Sequence, residues 1–201
     1  IDRMWTASEW FFSLPRNEKL RILRTERKPL GYYDRELTKR KRDLKEVFDF
    51  MDPESNKNDY NQWPQDDSFK QAMDFFFKNA SLVAKQTLDL VFKSLVHSKL
   101  DLPSGNSDMS TVRLNYYPVS DPLKNDGIKG VSELGEMALN RHTDPGILTL
   151  LLQDMTGGLQ TFSHQDGWID IVPKKDTIVV NLGDAMQVWT NDQYLAAMHR
   201  V

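Results

Sequence analysis

The sequence predicts an α+β chain with a mainly β core: a helical N-terminal region followed by a sandwich or jelly roll of short strands. Apolar residues recur at spacings of three and four from Phe69 to about Leu100, which is the period of a helix. After residue 108 they gather instead into short β-branched and aromatic runs separated by Gly, Asn and Asp. These runs follow one another without intervening helical patterns, which points away from alternating βα units.

Taken in order, Thr6, Ala7, Ser8 and Glu9 have the form of a capping box, and Trp10, Phe11 and Leu14 follow before Pro15, so a short helix is expected to start there. Arg35 to Lys45 is rich in Lys and Arg, but Glu36, Asp43 and Glu46 are interleaved, and a solvated surface is expected rather than a basic docking patch. The stripe Met73, Phe76, Phe77, Ala80, Val83, Ala84, Leu88, Val91 and Leu95 marks a long helix packed onto its own domain. Pro103 to Asp108 combines Pro, Gly, Asn, Asp and Ser, and places a boundary between a region 1–108 and a region 109–201. Strands are expected at Val112–Tyr117, Ile147–Leu152, Leu159–Phe162, Trp168–Val172, Thr177–Leu182 and Met186–Thr190. Gly157-Gly158, Asp166-Gly167, Gly183-Asp184 and Asn191-Asp192 are the turns.

Composition narrows the function. With 201 residues, of which 39% are hydrophobic, the chain can bury a core, and its net charge of −3 offers no attraction to nucleic acid or an anionic membrane surface. A small-molecule partner is expected. No apolar stretch approaches the roughly 20 residues of a spanning helix. There is no cysteine, so disulfides, thiolate zinc sites and a cysteine nucleophile are excluded, and a reducing, cytoplasmic setting is the expectation. Any metal must be held by His and carboxylates.

One constellation meets that requirement. In a strand, side chains two apart share a face, so His142 and Asp144 present an imidazole and a carboxylate side by side. Pro145 biases Asp144 towards extended backbone. His199 lies at the far end of the strand-rich region, where a sandwich can fold it back to complete a facial triad. Three protein ligands on one face of an octahedral metal leave three positions open, enough for a chelating cosubstrate and dioxygen. His97, near a helix end, and His164, at a hairpin turn, read as solvated. Asp184 reads as a turn residue, and Gly127, Gly130 and Gly135 match no nucleotide-binding fingerprint.

The motifs around these residues resemble the isopenicillin N synthase-like family of iron(II) and 2-oxoglutarate-dependent dioxygenases. The stretch from His142 through Thr143, Asp144, Pro145 and Gly146 to Leu151 is similar to its first metal motif. Asn181-Leu182-Gly183-Asp184, continuing to His199-Arg200-Val201, is similar to its second. Asn115-Tyr116-Tyr117-Pro118 resembles the segment whose Asn and second Tyr line the cosubstrate pocket. Phe11 to Pro15 with Lys19, and Asn61-Gln62-Trp63-Pro64, resemble its N-terminal region.

The resemblance implies a double-stranded β-helix and Fe(II) held by His142, Asp144 and His199. It also implies Asn115 and Tyr117 beside 2-oxoglutarate, and O2-dependent oxidation of a small molecule's C–H bond with release of succinate and CO2. The family's Arg-x-Ser motif, which grips the distal carboxylate of 2-oxoglutarate, has no counterpart before Val201, so the chain is expected to be a piece of a longer protein. A 2-oxoglutarate-independent iron oxidase and a non-catalytic binding module are the alternatives.

Overall fold

A computed structural model describes residues 1–52, 60–95, 109–124 and 131–201. The expected loop at 103–108, with the boundary it marks, lies outside those residues, as do His97, Gly127, Gly130 and residues 96–100 of the helical pattern.

The first helix, α1 (Asp2–Ser13), begins earlier than the capping-box pattern suggested. The amides of Met4 and Trp5 close on the Ile1 carbonyl at 2.9 and 3.1 Å, and Asp2 supplies an acidic side chain to the positive end of the helix dipole. Thr6 and Glu9 therefore lie within the helix, both exposed. Its buried residues, Met4, Ser8, Phe11 and Phe12, fall on one face. Pro15 ends the helix by holding Leu14 in an extended conformation, and a short turn, α2 (Arg16–Lys19), follows.

The long helix is α3 (Asp67–Ser94), capped by Asp66, whose carboxylate accepts the Phe69 amide at 2.7 Å. Phe69, Ala72, Met73 and Phe77 form its buried face. Further along, Val83 is 37% exposed, while Leu95 at the end of the stripe is buried again, so the expected stripe is covered only in part.

The first half carries more strand than its helical reading allowed. These strands are β1 (Gly31–Tyr33), the small hairpin β2 (Leu37–Thr38) and β3 (Lys41–Arg42), and β4 (Glu46–Met51). β4 pairs antiparallel with β1 and with β5 (Thr111–Tyr116), so one three-stranded sheet joins the two halves. The alternation along β4 is hidden in the sequence because both of its faces are buried. One face presents Phe48 and Phe50 to Phe11, Phe69 and Phe77, with ring centroids 4.9 Å apart for Phe11–Phe48 and 5.3 Å for Phe48–Phe69. Side chains of this size each contribute about 1.5–3 kcal/mol on burial.

The opposite face is ionic. Arg113 donates to both Asp49 oxygens at 2.7 Å, Arg24 pairs with Glu36 at 2.5 Å, and the Lys45 ammonium lies 3.7 Å from Asp43 and 3.9 Å from Glu36. Lys39, Arg40 and Lys41 are exposed, as a solvated surface requires, but Arg42, Asp43, Lys45 and Glu46 are all buried, which corrects that expectation for the end of the stretch. Interleaved opposite charges favour pairing as readily as solvation, and here they pair. On the apolar side, Lys19 is likewise buried, 2.6 Å from Glu46 Oε2, which also accepts the Tyr32 hydroxyl at 2.6 Å.

In the second half, β6 (Leu148–Leu151) pairs with β9 (Val179–Leu182). β7 (Gln160–Ser163) lies between β8 (Gly167–Asp170) and β10 (His199–Arg200), and every pairing is antiparallel. The expected turns are present: Gly157, Gly158, Gly167, Asn191 and Asp192 all adopt positive φ. The expected strand at Met186–Thr190 is instead a helix, α4 (Asp184–Trp189). Gly183 caps it, Asp184 favours its first turn, and Ala185, Met186 and Gln187 are helix formers that outweigh the β preference of Val188 and Trp189. No described helix is long and apolar enough to cross a membrane.

Candidate metal centre

His142 and His199 face each other across an antiparallel bridge, each donating its amide to the other's carbonyl at 3.0 and 2.9 Å. A second reciprocal pair, Leu139 with Val201, extends the same ladder, and β7 holds β10 from its other side through His199↔Thr161. The remote His199 is thereby folded back onto His142, with ring centroids 4.2 Å apart.

Asp144 is fixed by its backbone as well as its side chain. Three consecutive amides at the start of α4 reach the ligand loop: Gly183 N to Ile147 O at 3.1 Å, Asp184 N to Asp144 O at 2.8 Å and Ala185 N to Gly146 O at 3.1 Å. That approach requires glycine. A Cβ on Gly183 would lie 2.3 Å from the Gly146 oxygen and 2.6 Å from the Asp144 oxygen. Asp184, considered from sequence as a turn residue, serves through its amide while its side chain is exposed.

The donor atoms converge. Nε2 of His142 lies 3.7 Å from Asp144 Oδ1, Nε2 of His199 lies 3.8 Å from the same oxygen, and one donor atom from each of the three residues falls within 4.8 Å of the others. Both Nδ1 atoms sit 2.9 Å from backbone carbonyls, Asn140 for His142 and Ala197 for His199. A carbonyl only accepts, so Nδ1 carries the proton and Nε2 presents its lone pair to the centre. Burial pushes the His142 imidazole below its ordinary value. The hydrogen bond to Asn140 opposes this, and neighbouring His199 and, more weakly, the Lys45 ammonium add to it. Burial alone would raise the Asp144 carboxyl, but hydrogen bonds from Thr149 and Asn181, with the two imidazoles, hold it below the usual carboxylate range. Neutral imidazole and ionised carboxylate are the forms that bind a metal.

These residues fit a divalent transition metal. Bonds of about 2.1 Å place neighbouring donors about 3 Å apart, so closure on an ion draws each imidazole nitrogen and the carboxylate oxygen together by roughly 0.7–0.8 Å, a movement within reach of side-chain rotation. The donor set is nitrogen and oxygen without sulfur, and Thr149 and Asn181 orient the carboxylate from behind at 2.7 Å each. Neither residue was given a role from sequence, although Asn181 opens the stretch that resembles the second metal motif. The available signal was a polar side chain inside each of two apolar strands, Leu148-Thr149-Leu150 and Val180-Asn181-Leu182.

Asn115 and Tyr117 are not part of this donor cluster. Asn115 is exposed in β5 opposite Val47, and Tyr117 follows the strand with 36% of its surface open. Burial of the rest of the side chain, and then the Asp43 carboxylate, push the Tyr117 phenol up to about 12. His164 is exposed in the turn between β7 and β8, as expected.

Residues 109–201 match the 2OG-Fe(II) oxygenase superfamily, and residues 1–66 match the N-terminal region described for a non-haem dioxygenase in morphine synthesis. Over its whole length the chain is 31% identical to flavone synthase of Petroselinum crispum, covering 53% of that protein. It is 30% identical to gibberellin 2-beta-dioxygenase 4 of Arabidopsis thaliana, covering 62%. It thus spans little more than half the length of these relatives. It also superposes on a full-length Neurospora crassa protein crystallised in complex with alpha-KG, with a TM-score of 0.78 and 29% identity, covering all of this chain and 64% of that one.

Proposed function

We propose that this chain, which belongs to the 2OG-Fe(II) oxygenase superfamily, is the metal-binding part of an enzyme that oxidises a C–H bond of a small organic molecule. The observation that carries the reading is the convergence of His142 Nε2, His199 Nε2 and Asp144 Oδ1, with each ligand's far atom already engaged by the protein. Such a set suits Fe(II) and leaves one face open. When bound, ferrous iron with 2-oxoglutarate and dioxygen supplies the oxidising power, releasing succinate and CO2.

The chain's own share is binding and orientation. The two imidazoles donate neutral nitrogen, Asp144 supplies the negative charge, and the backbone ladder and α4 keep the three from drifting apart. Asn115 and Tyr117 are assigned to the cosubstrate pocket. They lie at alternating positions on the ionic face of the sheet, the face of Lys45, whose charge is felt at His142. The sheet β6–β9 and the sheet β10–β7–β8 are assigned to one jelly roll, the end of β9 reaching the segment before β10 through the Ala197 amide, which donates to the Leu182 carbonyl at 3.1 Å. The division between 1–108 and 109–201 is then one of sequence segments sharing the β1–β4–β5 sheet. The substrate is a small organic molecule. The Neurospora crassa protein has been crystallised with thymine and JOX2 with 2OG, Fe and JA, thymine and JA both being small organic molecules of the class assigned to this chain.

The test is anaerobic addition of Fe(II) and 2-oxoglutarate to the protein and to its Asp144→Ala variant, watching for the visible charge-transfer band of the chelate. A band lost in the variant is expected. Iron binding without a band would replace this reading with a 2-oxoglutarate-independent oxidase, and no iron binding would refute the triad.

A further inference from the structure

Thr149 and Asn181 are direct cross-strand partners in the β6–β9 register, so their side chains emerge on the same face of that two-stranded sheet. Both converge on a single atom. Thr149 Oγ1 and Asn181 Nδ2 each donate to Asp144 Oδ2 at 2.7 Å, while Oδ1 is left to face the two imidazole Nε2 atoms. A carboxylate oxygen with two short hydrogen bonds has its in-plane lone pairs occupied and is held away from the ligand cluster. From these contacts we infer that Thr149 and Asn181 are positioning residues that force Asp144 to bind its metal through one oxygen only.

The consequence follows from counting positions. An octahedral ion held by three single-atom ligands keeps three positions open, whereas a carboxylate turning both oxygens inward leaves two. Two positions admit a chelating acid or dioxygen with one further ligand, but not the chelate and dioxygen together. The hydroxyl and the amide therefore protect the third position. Their contribution is geometric, and it depends on register rather than on the ligand motif itself. A slip of β9 by one residue would turn Asn181 to the opposite face and leave Oδ2 with one partner.

This inference rests on the proposed metal site, and the experiment separates the two. Mn(II) is bound to the protein, and the number of exchangeable waters on it is read from water-proton relaxation, alongside Mn(II) affinity, for wild type, Asp144→Ala, Thr149→Ser and the double variant Thr149→Val/Asn181→Leu. Wild type retains Mn(II) and Asp144→Ala loses it. The double variant still binds Mn(II), but its relaxivity falls by about one third as three waters become two. Thr149→Ser, which keeps the hydroxyl, behaves as wild type. The single variants Thr149→Val and Asn181→Leu shift in the same direction by less, and carry the test if the double variant does not fold.

Failure of wild type to bind Mn(II), or retention by Asp144→Ala, would overturn the metal site itself. Wild-type relaxivity in the double variant, or in both singles where they carry the test, would overturn the role given to Thr149 and Asn181. So would loss of Mn(II) as complete as in Asp144→Ala.

Discussion

Replacing Gly183 by Ala tests whether α4 braces the metal ligand. The added Cβ would meet the Gly146 oxygen at 2.3 Å, the Asp144 oxygen at 2.6 Å and the Gly146 carbonyl carbon at 2.9 Å, all of them backbone atoms. No side chain can yield, so the helix start must withdraw from the ligand loop. Three bonds depend on that contact, from the amides of Gly183, Asp184 and Ala185. At about 0.5–1.5 kcal/mol net each, their loss costs about 1.5–4.5 kcal/mol. The reduced freedom of the unfolded chain returns about 0.4–1 kcal/mol. The expected net destabilisation is about 0.5–4 kcal/mol, measured as the shift of the urea midpoint in the metal-free protein. Metal affinity should fall as well, because the backbone of Asp144 moves with its loop. A midpoint within about 0.5 kcal/mol of wild type, with unchanged metal affinity, would refute the bracing role.

Lys19→Met should destabilise by about 3–5 kcal/mol in denaturant unfolding, because Glu46 is left buried and charged without the ammonium that faces it. The double variant Lys19→Met/Glu46→Leu should recover much of that loss, and equal losses in the single and double variants would contradict a buried ion pair. Glu36 sets an acid limit on stability. Burial would raise its carboxyl, but Arg113, Arg24 and Lys45 together hold it below the usual range. A lowered folded-state value means that the stabilisation is present above about pH 4.3, the unfolded value, and is lost as pH falls through the folded one. The stability difference between wild type and Glu36→Gln should therefore shrink across that acid window. A difference that stays constant or grows on acidification would show that the cluster does not favour the ionised form.

The parts of the fold written in local patterns were legible. The face of α3 that buries Phe69, Met73 and Phe77 follows from spacing, and the turns at Gly157-Gly158, Gly167 and Asn191-Asp192 follow from residue type. The first-half strands were not, because β4 alternates Phe48 and Phe50 with Val47 and Asp49, and all four are buried. An alternation of apolar with polar residues signals a strand only when one face meets water. Asp49 meets Arg113, a residue far away in sequence, and that partner is invisible to any local window. The same holds for Lys45 and Arg42, whose charges predicted solvent until their carboxylate partners were placed beside them.

The candidate site divides along the same line. His142 and Asp144 are two apart, and their pairing is a local statement about an extended backbone. His199 and Asn181 reach the site only through strand pairing, His199 by its bridge to His142 and Asn181 by its register with Thr149. A motif can therefore name the ligand types while leaving open which oxygen of Asp144 they expose. That choice is made by two polar side chains, each set in an otherwise apolar strand, whose worth depends on facing each other across a sheet. Chemistry that depends on open coordination positions is thus as sensitive to strand register as to the ligands, and a conservative Thr149→Val substitution becomes a change at the metal.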